Sequence, residues 1–437
     1  MLFLGLPAAA AVFSIVFSIS FWFLLTIVLF ILSLILLVKN PLLLLFLLIV
    51  TRMSLDYPVK YFTFIFFEIP VSLSQILGIG VAILGAINLI IQRRKLLKFE
   101  FTIPFLILFL WGSSTLAYSI APYNTLYELL RFFDFFALGF LAYTSVKKTS
   151  DFKKLLVAFF ISSLLPIAFA LYQLAFGIGF QDDAFLLPRI FGTFSHPNIF
   201  SLYLFALAVF ACLFFLIFSR SSREQFLSLG LLGIFIAVLF MTFARVAWIT
   251  LFAFTFLFAL FRYRLLLFPV IILPLILFAF SQNFQERALE SFSQRPDSSI
   301  VWRRNLWYDV TAKSVQDGNL WFGTGMKTFT IVSEKLRGIS FGSNDSHNDF
   351  VKFFVEGGII GIIAYLVYIA SIFFVLLKNY FHNAKRNDLQ LQLAFAMLIL
   401  FFFTIEIASF SDNVFRNTPV QWLFFTSSGG LLALTKK

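Results

Sequence analysis

The chain has 437 residues, 61% of them hydrophobic and only 12% charged, and carries a formal net charge of +12. That balance excludes a soluble domain, because no fold of this size hides so much apolar surface from water. A single cysteine, Cys212, lies inside an apolar run, which excludes a disulfide framework and a cysteine-based metal site.

Apolar runs of membrane-spanning length recur from end to end. In chain order the expected spans are 3–19, 21–38, 41–53, 72–91, 103–119, 126–146, 153–177, 197–218, 225–243, 244–262, 264–281, 350–377, 389–409 and 418–434. The first 38 residues also read as one tilted helix, so the expectation is an all-α, polytopic transmembrane bundle of 12–14 helices. Those first residues lack a basic n-region and run on into further spans, so they read as mature helices rather than a cleaved signal.

Orientation follows from the short loops. Lys39, Arg93-Arg94-Lys95, Lys98, Lys147-Lys148, Lys153-Lys154, Arg220, Arg223, Arg262, Arg264, Lys378, Lys385-Arg386 and Lys436-Lys437 all fall on one side. The positive-inside rule puts that side, and both termini, in the cytoplasm. The same rule accounts for the net positive charge without nucleic acid.

Three parts result: N-terminal membrane helices over 1–281, a polar outer segment over 282–349, and C-terminal membrane helices over 350–437. The outer segment is predicted to form a small helical cap. Within it, Ser299 to Val310 reads as an amphipathic helix, and Phe322-Gly323-Thr324-Gly325 as a glycine turn.

Four features on the outer side carry chemistry. Arg245 opens an apolar span; an arginine at mid-membrane depth costs roughly 2.5–3.5 kcal/mol and usually marks a function, against the plainer reading of a side chain that snorkels to the headgroups. Arg189 precedes Gly192-Thr193-Phe194-Ser195-His196-Pro197-Asn198, where Pro197 suits the first turn of a helix capped by His196 or Ser195. Arg303 and Trp307 share one face of the outer helix, with Arg304 adjacent; a planar guanidinium beside an aromatic suits phosphate or sugar. The alternative is a packed tryptophan with solvated arginines.

His347 is the strongest candidate. It is one of three histidines in the chain, and Ser346-His347-Asn348-Asp349 stands where the polar segment enters an apolar helix. An imidazole can accept a proton near neutral pH, although a helix cap would also explain it. Asp349, Asp412 and Glu356 are candidates to orient it or the acceptor.

By topology, the helices beginning near Pro197, Arg245 and Asp349 all present their amino-terminal ends outward, and such ends favour phosphate. There is no Walker loop, no His/Cys cluster and no dense set of buried acidic pairs; Asp134 and Glu406 are isolated. A transporter of lipid-linked sugars, the rival from another class, would place polar residues along a mid-membrane path, often with internal repeats. Here polarity concentrates at the outer edge, and no repeat is visible.

With these residues in place, the chain resembles the O-antigen ligase and polymerase superfamily of bacterial envelope glycosyltransferases. The likeness lies in Arg189-x-x-Gly192-Thr193-Phe194-x-x-Pro197-Asn198, Phe243-Ala244-Arg245, Arg303-x-x-x-Trp307, Phe322-Gly323-Thr324-Gly325, His347-Asn348 and Glu356-Gly357-Gly358-Ile359-Ile360-Gly361. Ala244 stands where a serine is common.

The resemblance implies a fold similar to the lipid-dependent multi-spanning glycosyltransferases. It implies inverting, metal-independent transfer of a glycan from undecaprenyl diphosphate to a lipid A–core acceptor, or to a growing chain in the polymerases. Transfer is expected at the periplasmic face of the inner membrane, with membrane lipids as the other partners and no cofactor. The family's arginine, arginine and histidine carry over to Arg245, Arg303 and His347 as catalytic residues. Arg189, Arg304, Trp307, Asn348, Asp349 and Asp412 are the expected substrate-binding residues.

Overall fold

Long apolar stretches without water to bond their backbone must satisfy it internally, and helices do so. The computed structural model describes residues 21–56, 63–66, 69–180, 188–290, 292, 298–338 and 344–436. The expected span at 3–19 lies outside the described residues.

From the N-terminal side come α1 (Phe21–Lys39), α2 (Pro41–Ser54), a hairpin of β1 (Thr63–Phe66) and β2 (Ile69–Ser72), and α3 (Leu73–Ile91). The hairpin is antiparallel with Thr63 opposite Ser72, two four-residue strands in an otherwise helical bundle. Then follow α4 (Thr102–Ser114), α5 (Pro122–Ser145), α6 (Thr149–Ser162), α7 (Leu164–Phe176), α8 (Pro197–Leu213), α9 (Ser222–Met241), α10 (Arg245–Phe261) and α11 (Leu267–Phe280). The polar segment forms α12 (Gln282–Glu290), α13 (Ser299–Gln316) and α14 (Phe329–Arg337). Three more helices, α15 (Asp349–Lys385), α16 (Leu389–Ala408) and α17 (Thr418–Thr435), complete the chain.

Six helices or helix pairs among the described residues are long and apolar enough to cross a membrane alone: α3, the α6–α7 rod, α8 with the π-turn that ends it, α9, α15 and α16. Shorter apolar helices include α2, α4 and α10. The protein is therefore a multi-pass helical membrane protein. The expected span at 153–177 is broken at Ser163 because Pro166 offers no N–H to Ser162 O. Ser54 Oγ donates to that carbonyl instead, at 3.2 Å.

Phenylalanine fills the interior. Phe105 stacks on Phe136 at 4.1 Å, and Phe353 on Tyr365 at 4.1 Å. These flat rings bury large areas, and their offset geometries let helices interlock.

Polar contacts gather in two separate sets. In one, Lys436 bonds Tyr143 Oη (2.7 Å), Glu100 meets Lys378 (3.2 Å), and Arg386 donates to Thr435 O (3.0 Å). The other contains Arg189, Arg245, Arg303, His347 and Asp412.

The polar cap rests on α15 through a small core of Leu306, Val310, Phe329 and Val355. Below it, α15 is broken at Gly358 (φ 60°, ψ −154°). The glycine turn enters this break. Thr324 N and Gly325 N donate to Val355 O and Glu356 O at 3.1 and 2.9 Å, while Ile359 N and Ile360 N donate to Leu320 O and Trp321 O at 2.9 and 3.2 Å. The turn thus pairs backbone groups that a kinked membrane helix would leave open. The two glycine motifs fit each other and fix the cap to the bundle.

Candidate active site

The first turns of α8 and α15 meet the loop between α16 and α17, residues 409–417, through Asn198–Asp412 and Asp349–Phe415, and the first turn of α10 meets α13 through Arg245 and Ser299. His347 lies just before α15 with a left-handed backbone, φ 46°. That conformation is uncommon for a residue with a side chain and persists only where its surroundings hold it. Trp307 Nε1 donates to Ser346 O at 2.6 Å, and Ser346 Oγ donates to Asn348 O at 3.0 Å. Lys352, almost fully buried in α15, pairs with Asp345 at 2.6 Å and donates to Asn413 Oδ1 at 2.7 Å. His347 is therefore held from both sides.

Of the three acidic candidates, Asp412 is the one that reaches the imidazole, Oδ1 to Nδ1 at 3.3 Å. Its other oxygen accepts from Asn198 Nδ2 at 2.8 Å. Burial alone would raise the Asp412 carboxyl, but the His347 hydrogen bond and the charges of His347 and Arg303 outweigh it and hold the group below the usual carboxylate range. Asp349 instead accepts from Phe415 N at 2.7 Å and anchors the loop. Glu356 pairs with Arg416 at 2.7 Å and accepts from Phe329 N.

Arg303 donates to Ser411 O at 3.0 Å, next to Asp412. Burial lowers its pKa; the Asp412 charge opposes that, and Arg287 and Glu290 also act on it. One turn earlier on the same helix, Ser299 Oγ accepts from Arg245 Nη2 at 2.9 Å. Arg245 also meets Glu290 at 3.5 Å, and Glu290 pairs with Arg287. His347, Asp412 and Arg303 thus form one polar network around the 409–417 loop, and the Arg245–Ser299–Glu290–Arg287 set lies one turn along α13 from Arg303.

Arg189 joins this network from behind. Its Nη2 donates to Asn198 Oδ1 at 3.1 Å and its Nε to Thr242 O at 3.0 Å, so it ties the start of α8 to the approach of α10. His196 caps α8, its Nδ1 accepting from Asn198 N at 3.1 Å. Burial pushes this imidazole down to about 3, against the Asp412 charge, so it stays neutral and fit for that bond. Asn348 caps α15 by accepting from Val351 N at 3.1 Å. Arg304 is exposed, and Trp307 spends its N–H on Ser346.

Sequence reasoning left Asn198, Arg287, Glu290 and Lys352 without roles. Asn198 sits in the first turn of a helix, where a polar side chain reads as ordinary capping. Arg287 and Glu290 form a local i,i+3 pair that looks self-contained. Nothing local signals that either touches the site.

A cluster of arginines around an imidazole–carboxylate pair can bind a polyanion and move a proton beside it. No curated protein matches this chain. Residues 229–366, which contain Arg245, Arg303 and His347, match the O-antigen ligase family model, and over that third of its length the chain is similar to the O-antigen ligases.

Proposed function

We propose that the protein is an O-antigen ligase-type, inverting, metal-independent glycosyltransferase. It moves a glycan from undecaprenyl diphosphate to a lipid A–core type acceptor at the periplasmic face of the bacterial inner membrane, with both termini cytoplasmic. The observation that carries this reading is the His347–Asp412 pair with Arg303 bonded beside it on Ser411, and Arg245 held one turn away on the same outer helix by Ser299.

The tautomer follows from the carboxylate. Ionised Asp412 only accepts, so Nδ1 of neutral His347 carries the proton and Nε2 is left as the base. Nε2 takes the proton of the acceptor hydroxyl as its oxygen attacks the anomeric carbon. The bond from that carbon to the diphosphate breaks on the opposite face, and its electron pair leaves with the phosphate oxygen. Arg303 and Arg245 hold the diphosphate and stabilise the charge that grows there. A guanidinium offers five donors, and Arg303 spends one on Ser411. The outward ends of α8, α10 and α15 add their dipoles.

The test is transfer of a defined glycan from its lipid diphosphate to purified lipid A–core, with and without EDTA. Loss of transfer in His347→Ala, in protein that still inserts and binds the carrier, is the expected result; undiminished transfer removes the base. Polymerase activity is separated by a gel of envelope glycans. Loss of a ligase leaves long chains on the carrier, whereas loss of a polymerase leaves a single repeat on the acceptor.

A further inference from the structure

Lys352 stands in Phe350-Val351-Lys352-Phe353-Phe354-Val355, an otherwise apolar run, and its side chain is 1% exposed. It lies close to the amino-terminal end of α15, where the helix dipole disfavours a cation. Neither the helix nor the loop needs it as an anchor, because Asn348 already caps α15 and Asp349 already holds Phe415 N. A buried ammonium is costly unless paired, so the groups that pair it are drawn to one point.

Those groups flank the imidazole and its carboxylate. Lys352 Nζ meets Asp345 Oδ1 at 2.6 Å, two residues before His347, and Asn413 Oδ1 at 2.7 Å, one residue after Asp412. Asn413 acts on both sides of the pair. Its backbone N–H donates to Asp412 Oδ1 at 2.8 Å, the same oxygen that faces His347 Nδ1. Its side-chain oxygen lies 3.1 Å from the hydroxyl of Ser346, the neighbour of His347. The path from Lys352 through Asn413 therefore ends on the contact that fixes the imidazole proton. His347 holds a left-handed backbone that persists only while its surroundings impose it. A shift of an ångström at such a contact is worth up to about 10²-fold in rate.

We infer that Lys352 and Asn413 are positioning residues for the His347–Asp412 pair. The Lys352 ammonium sets the separation of the two segments that carry the pair, and Asn413 turns Asp412 Oδ1 toward Nδ1, which leaves Nε2 free. The consequence for turnover rests on the glycosyltransferase reading; the clamp on the imidazole does not.

The test reads the imidazole directly. Nitrogen-15 NMR of the full chain in detergent, labelled at histidine and held at about pH 8, shows which ring nitrogen of each neutral histidine carries the proton. His196, whose Nδ1 accepts from Asn198 N, is a built-in reference for the opposite tautomer. Wild-type His347 is expected to carry its proton on Nδ1. In Lys352→Met, which keeps the length and removes the charge, and in Asn413→Ala, the ratio of Nδ1–H to Nε2–H is expected to fall about five-fold or more. Lys352→Arg, which keeps a cation with several donors, is expected to recover at least half of that loss. Thermal midpoints and an unchanged His196 signal establish that a variant is folded, and either of the first two suffices. In the transfer assay the same variants are expected to lower kcat by about 10–100-fold with KM nearly unchanged. A wild-type His347 proton on Nε2 overturns the inference, as does an unchanged ratio in the folded variants. Equal losses in Lys352→Arg and Lys352→Met would assign the effect to packing and overturn it too. If the ratio falls as expected but wild-type protein transfers nothing, the transferase reading fails and the clamp stands. If wild-type protein transfers and the variants keep its kcat, the clamp has no part in the reaction and the positioning role is overturned.

Discussion

Asp412 Oδ1 lies 3.3 Å from His347 Nδ1, across 65 positions of chain, while Asn198 holds the other carboxylate oxygen. The pair is a positioned base only as a unit, because the carboxylate decides which imidazole nitrogen is free. Asp412→Asn is expected to lower kcat by roughly 10²–10⁴-fold, the usual worth of a positioned base. His347→Ala should fall to a similar level, and the double variant little further. Losses that multiply in the double variant would show that the two act independently.

Glu290 occupies Arg245, one of the two arginines proposed to hold the diphosphate, together with the neighbouring Arg287. Glu290→Gln keeps the shape and removes the competing charge. Inorganic pyrophosphate is predicted to bind this variant more tightly, by about tenfold or about 1.4 kcal/mol, as read by calorimetry. Unchanged or weaker binding would mean that Glu290 serves to aim the arginines rather than to compete for them.

The clip between the glycine turn and α15 has no room for side chains. A Cβ on Gly323 (φ 68°) would stand 2.3 Å from Gly357 N, and one on Gly358 (φ 60°) 2.4 Å from Trp321 C. Gly323→Ala and Gly358→Ala are each expected to lower stability by at least the ~1–3 kcal/mol of left-handed strain alone. The thermal midpoint in detergent measures this. Gly230→Ala is the control, with nothing within 4 Å of its added Cβ.

Asp345 ties the His347 loop to Lys352. Burial would raise its carboxyl, but Lys352 outweighs that and lowers it from 3.8 to about 2. A folded-state value below the unfolded one means stability that is fully present above about pH 4 and lost as pH falls through about 2. Wild-type protein should therefore lose more of its thermal midpoint between pH 4 and pH 2 than Asp345→Asn. Parallel pH curves would remove Asp345 from the acid response.

Composition and periodicity alone determined the helices. The expected spans at 72–91, 225–243, 389–409 and 418–434 end within a few residues of α3, α9, α16 and α17, because a bilayer-length apolar run has one way to satisfy its backbone. Arg245 and His347 stood out as candidates because a charged or titratable group at the mouth of an apolar helix is costly, and Arg303 because it shares a helix face with Trp307. Their assembly was not. Asp412 rather than Asp349 or Glu356 faces the imidazole, Trp307 Nε1 holds the carbonyl of Ser346, and Glu290 pairs with Arg245. These are contacts between segments tens to hundreds of residues apart, and local pattern carries no information about which distant side chain fills a given direction. Only the packing of α8, α13, α15 and the 409–417 loop against one another decides it.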